Sequence, residues 1–190
     1  MSKDSSENKK KKKRFQIKDM VLIGVFAAMI AVITQIAIPL PSGVPVTLQT
    51  FGVSLAGYCL GRWKGTMTII VYILLGLIGV PVFSGFGGGP AGLFGITGGF
   101  IWGFLPLVFA CGYREVCKKK RISMLLGMLG LVLCHAFGLC QFIFIGKQPL
   151  WSAFLMVTLP FLVKDVICVS AAYGFSIPIQ KLIIKNSNSV

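Results

Sequence analysis

The chain has 190 residues, 55% hydrophobic and 13% charged, with a mean hydropathy of +0.84. Water-soluble domains carry about 25% charged residues, so a soluble globular fold of this size is excluded. The net charge of +14 raises nucleic acid as a partner, but the 19 Lys and Arg stand in short clusters between apolar runs rather than along one amphipathic face, and that excludes it.

A membrane span takes about 20 apolar residues, and roughly 30 with its share of loop, so the chain has room for about five to seven spans. Residues 1–19 are polar, include the basic run Lys9 to Arg14, and read as a solvated tail. The apolar stretch Met20 to Leu40 is too long for the core of a cleaved signal peptide and is read as the first helix, ended by Pro39-Leu40-Pro41-Ser42-Gly43. Helices are then expected over about Thr47–Leu60, Thr66–Val80, Gly92–Cys111 and Ile122–Ile145. The apolar stretch Leu150 to Ile184 exceeds one span, and Pro160 divides it into a short interfacial or re-entrant segment, Trp151–Thr158, and a sixth helix, Phe161–Leu182.

Charge gives an independent test, because Lys and Arg gather on the cytoplasmic side of short loops. With the N-terminus inside, 17 of the 19 cations fall on one side, leaving Lys147 and Lys164. The expected fold is therefore an all-α membrane protein of six transmembrane helices, both termini cytoplasmic, with an irregular Gly-rich external loop. Residues 1–19 form a basic cytoplasmic tail, 20–185 the six-helix membrane domain and 186–190 a polar C-terminal tail.

Asp165 is the only acid within an expected span, and Lys164 stands beside it. Ionisable groups at membrane depth are costly unless paired or facing a polar cavity, which makes this pair a candidate site. Adjacent helical positions point about 100° apart, so the two side chains are not expected to face one another automatically. The alternative is an interfacial anchor at the start of the sixth helix, where a carboxylate suits the helix dipole.

Gly85 to Gly99 holds eight glycines, a segment able to fold tightly and bring backbone groups close to a ligand. No Lys-Ser or Lys-Thr follows, so it is not a nucleotide loop, and ATP is not expected on this chain. Glycines at 57, 61 and 65 and at 95, 99 and 103 read as helix-packing stripes. On the first helix, Gly24 and Ala28 alternate with Ala27 and Ala31 in two small-residue stripes that serve either internal packing or a partner subunit. The single His135 has no carboxylate near it in sequence and reads as hydrogen-bonded within the bundle, while Gln141 is a candidate cavity residue. Six cysteines without Cys-x-x-Cys spacing read as small apolar residues, and no metal or cofactor is expected. Phe83, Phe86, Phe94, Phe100 and Trp102 flank the glycines, and Trp151 and Phe154 precede Pro160. Two irregular regions and the lone acid thus converge on the outer side, where a pocket is expected.

Val44-Pro45-Val46-Thr47-Leu48-Gln49-Thr50-Phe51, Gly76-Leu77-Ile78-Gly79-Val80-Pro81-Val82-Phe83, Gly95-Ile96-Thr97-Gly98-Gly99-Phe100 and Pro160-Phe161-Leu162-Val163-Lys164-Asp165 together resemble the BioY family, the biotin-specific S components of energy-coupling factor (ECF) transporters, over about residues 18 to 184. The resemblance implies a substrate-binding membrane domain that captures biotin in an outward-facing pocket and has no catalysis of its own. It also implies partners, a transmembrane T component and two ATP-hydrolysing subunits, and a place in the bacterial cytoplasmic membrane. Asp165 takes the head-group role by motif position, and Lys164, Gln49, Ser84, Thr97, Phe83, Phe100 and Gly88 join it as pocket candidates. Ala27 and Ala31, with Gly24 and Ala28, become the candidate docking surface. The alternatives are the same architecture carrying lipoate, dethiobiotin or another biotin-like carboxylate, and a polytopic membrane enzyme.

Overall fold

The computed structural model describes residues 16–38, 44–117 and 119–187. Helix α1 (Ile17–Thr34) starts on a reciprocal cap between Gln16 and Asp19. It stops well short of Leu40. The Thr34 hydroxyl donates back to the Ile30 carbonyl at 2.7 Å and the Gln35 amide to Ala31 at 3.1 Å. The chain then extends as β1 (Ala37–Ile38), antiparallel to β2 (Val46–Thr47), with Ala37 opposite Thr47. The Pro39 to Gly43 cluster that was expected to end the helix lies outside the described residues.

Helix α2 (Gln49–Leu77) takes in both helices expected from Thr47 to Val80, joined by a sharp reversal at Gly61 in place of a longer loop. It is a hairpin. A straight helix would hold Gln49 and Tyr72 about 35 Å apart, yet the Gln49 amide donates to the Tyr72 hydroxyl at 2.7 Å. The reversal is at Gly61, whose φ of 79° and ψ of 175° suit glycine alone. The other two glycines of that stripe let the arms touch: a Cβ on Gly65 would lie 3.1 Å from the Gly57 Cα. Arg62 and Lys64 therefore sit in helix, not in a loop.

The expected helix Gly92–Cys111 is also divided. A turn at Ser84–Phe86 leads to the short α3 (Pro90–Phe94), and after a break at Gly95 to Thr97 the chain enters α4 (Gly98–Gly112). Gly89, at φ 82°, turns the backbone so that Pro90 begins α3. Helix α5 (Lys120–Gly146) packs closely on α4, since a Cβ on Gly103 would fall 2.7 Å from the Cys134 Cα and one on Gly99 2.4 Å from the Phe137 carbonyl oxygen. The short α6 (Leu150–Val157) and α7 (Leu159–Ser187) divide at Pro160 as expected, and that proline occupies the first turn of α7, where no helical hydrogen bond is lost.

By length and composition α1, α5 and α7 are able to cross a membrane, whereas α2 has that length only when its two arms are counted together. Tyr58, Tyr72, Ile30, Ile69 and Leu107 fill the centre of the bundle, with Tyr58 edge-on to Tyr173 at 5.3 Å. The two ends differ in charge. One carries the Asp19–Lys64 ion pair (2.5 Å), Arg62 over Tyr113, and Arg114 both over Tyr173 and hydrogen-bonded to Ser176. The other carries the glycine-dense segment and a cavity.

Candidate functional site

The cavity, of about 210 Å³, is walled by the starts of α2, α4 and α7, the Gly-rich segment and Cys134 of α5. Of the residues expected there, Asp165, Lys164, Gln49, Ser84, Thr97, Phe83 and Phe100 all line it. Gly88 does not. A Cβ on Gly88 would meet the Val80 and Gly79 carbonyls at 2.8 and 2.9 Å, so this residue lets the loop close on the end of α2, and Gly87 and Gly92 border the cavity instead.

A polar network fixes the mouth. Tyr72 accepts from Gln49 and donates to the Val82 carbonyl at 2.9 Å, and the Thr34 hydroxyl is 3.5 Å away. Gln35 donates to the Phe83 carbonyl at 3.2 Å and accepts from the Phe86 amide at 2.9 Å, tying the loop to α1. Buried amides and hydroxyls cost about 1 to 3 kcal/mol each when unpaired, so this satisfied set resists alternative loop conformations. Phe83 is clamped between two glycines: a Cβ on Gly76 would lie 2.0 Å from its ring and one on Gly92 2.6 Å. Gln141, expected to line a cavity, instead donates to the Leu93 and Gly95 carbonyls at 2.9 and 2.7 Å and closes the end of α3.

At the base lies a cluster of charge. Asp165 Oδ2 is 3.2 Å from His135 Nε2, and Oδ1 is 2.5 Å from Lys164 Nζ. Lys164 also donates to the Thr47 carbonyl at 2.7 Å, so its four-carbon stem turns back across the 100° between neighbouring helix positions. The side chains of Asp165 and His135 are each 7% exposed and that of Lys164 22%, a gradient from protein interior to cavity. His135 thus has a carboxylate after all, supplied by α7 from 30 positions along the chain. Sequence reasoning also missed Thr47, Thr50, Ile101, Phe104, Cys134 and Phe161 as lining residues. Thr47, Thr50 and Phe161 lie inside the quoted family motifs, the only signal that marked them.

Among the other aromatic candidates, Phe86, Phe94 and Trp151 are exposed, Phe94 rests on Trp102, and Trp151 stacks on Phe154 at 6.1 Å. The docking set divides as well. Ala27 is 1% exposed and packs into the core, with Ala31 half-buried beside it, so this pair is not an outer surface; Gly24 and Ala28 are exposed, with Val21, Val25 and Val32 on the same side.

The family model described as the BioY family matches residues 7–185. A protein named probable biotin transporter BioY from Pyrococcus horikoshii is 37% identical over 82% of this chain and 91% of its own length. The biotin transporter BioY of Thermotoga maritima is 35% identical over 87% of this chain and 98% of its own. Among solved structures, the S-component for biotin from an ECF-type ABC transporter superposes with a TM-score of 0.75 at 26% identity, covering 87% of this chain and 90% of that one. A family match across nearly the whole length, with relatives above one-third identity, means that this chain belongs to the BioY family.

Proposed function

We propose that this protein is the substrate-capture subunit of an ECF importer and binds biotin in the cavity between the starts of α2, α4 and α7. The observation that carries the reading is a cavity in which a buried carboxylate with two basic partners lies among Phe83, Phe100 and Phe161. Such a space offers polar anchors at one end and apolar walls for a ring and an aliphatic tail, the composition expected of a small-molecule site. Asp165 accepts N–H donors of the ureido ring, and Lys164 and the nearby hydroxyls of Thr47, Thr50, Ser84 and Thr97 meet the remaining polar atoms.

The protein is an integral membrane protein with no catalysis of its own; ATP hydrolysis belongs to partner subunits. In the finer reading, the two arms of α2 cross separately, giving six spans with α1, α4, α5 and α7, and both termini lie in the cytoplasm. The exposed Gly24–Ala28 face of α1 then meets the T component. The membrane domain then runs from the start of α1 at Ile17 to the end of α7 at Ser187, so residues 17–19 and 186–187, expected in the polar tails, are part of its helices.

Isothermal titration of the detergent-purified protein with biotin tests the reading: saturable binding in the micromolar range or tighter is expected. No heat with biotin, together with saturation by lipoate or dethiobiotin, would transfer the site to a related carboxylate.

A further inference from the structure

We infer that His135 is the positioning residue of the capture site: without touching the ligand, it holds Asp165 in the orientation that accepts it. The inference rests on the reading of the cavity as a biotin site and adds a residue to it. His135 does not line the cavity; it stands behind Asp165, on α5, with its Nε2 3.2 Å from Oδ2 of the carboxylate, within reach to donate to it. Its own orientation is set by a ring contact. Phe100, which does line the cavity, meets the imidazole edge-on with ring centres 5.8 Å apart. That phenyl ring in turn rests on bare backbone one turn along α5, since a Cβ on Gly138 would lie 2.4 Å from it.

The division of labour between the two basic residues follows from their surroundings. Lys164 is the more exposed, reaches Asp165 on a flexible stem and spends a hydrogen bond on the Thr47 carbonyl, so it restrains the carboxylate loosely. His135 is 5% exposed overall, has two side-chain torsions, and its Nδ1 is buried without a partner among the described residues, leaving Asp165 as its one directed contact. A rigid donor on Oδ2 sets the plane of the carboxylate and so the direction of the lone pairs that remain for the ligand.

Replacement of His135 by Gln, whose amide nitrogen reaches about as far as Nε2, should keep biotin affinity within about threefold. Replacement by Asn, which reaches only the Nδ1 position, or by Leu, which fills the space without a donor, should weaken it by about 10- to 100-fold, the range expected for a hydrogen bond to a charged group. Unfolding temperatures of the variants identify any that fail to fold, and a purely structural role would rank Leu with or above Gln. A second readout needs no ligand. His135 is the only histidine in the chain, so ¹⁵N-histidine labelling gives one imidazole spectrum, in which the Nε2 proton should shift when Asp165 becomes Ala. If Leu binds biotin like the parent protein, or the Asp165→Ala exchange leaves the Nε2 signal in place, the inference is overturned. A shifted Nε2 signal with no biotin binding by the parent protein would overturn the ligand reading while leaving the pairing intact.

Discussion

The carboxylate of Asp165 has basic partners on both oxygens, one rigid and one flexible. Asp165→Asn removes the charge while retaining the shape, and biotin affinity in titration should fall by about 10- to 100-fold, since an amide presents a donor where the ligand requires an acceptor. The variant should still fold, because burying a neutral amide is less costly than burying a charge. Two glycines set the walls as firmly as the charged groups set the base. In Gly76→Ala the new methyl would fall within the Phe83 ring, which must leave the cavity wall; overpacking of this kind costs about 1 to 3 kcal/mol. Both a lower unfolding temperature and weaker ligand binding should follow, and retention of parent affinity would show that Phe83 is not a wall.

At the scale of elements, the decisive feature is the reversal of α2 at Gly61. A single 29-residue helix satisfies the length rule for a span, but the Gln49–Tyr72 hydrogen bond requires two antiparallel arms. The arms bring Gln49 of one and Tyr72 of the other to the same end, where they support the cavity mouth. Spin labels at the exposed Leu48 and Leu74 should report a separation below about 20 Å, against about 39 Å for a straight helix. Gly61→Ala should destabilise the protein by about 1 to 3 kcal/mol, because a side chain is strained at this φ and ψ. The close approach of α4 and α5 over Gly99 and Gly103 has a parallel role, since it carries Cys134 to the cavity wall.

For the whole molecule, the asymmetry between its two ends is the organising fact. The basic residues Arg62, Lys64 and Arg114 gather with aromatic and acidic partners at one end, and the cavity opens at the other. Under the proposed topology, the positive-inside rule would face the cavity outward. Reporters fused to the N-terminus and the C-terminus should both be accessible only from the cytoplasmic side. Exposure of either outside the cell would overturn the six-span proposal.

Much of this was legible from the order of residues alone. Apolar runs and cation clusters mark membrane helices because a bilayer enforces both, and the division at Pro160 follows from the chemistry of one residue. The lone acid in an apolar stretch singled out Asp165 as a candidate, and seven of the eight residues expected at the pocket line the cavity. What remained hidden depended on contacts between distant segments. That Gly88 closes a loop while Gly87 and Gly92 border the cavity, and that Ala27 turns inward while Ala28 faces out, are outcomes of packing. The pairing of His135 with Asp165 belongs to the same class: it exists because the fold sets α5 beside α7, a juxtaposition of whole helices rather than any local preference of the chain.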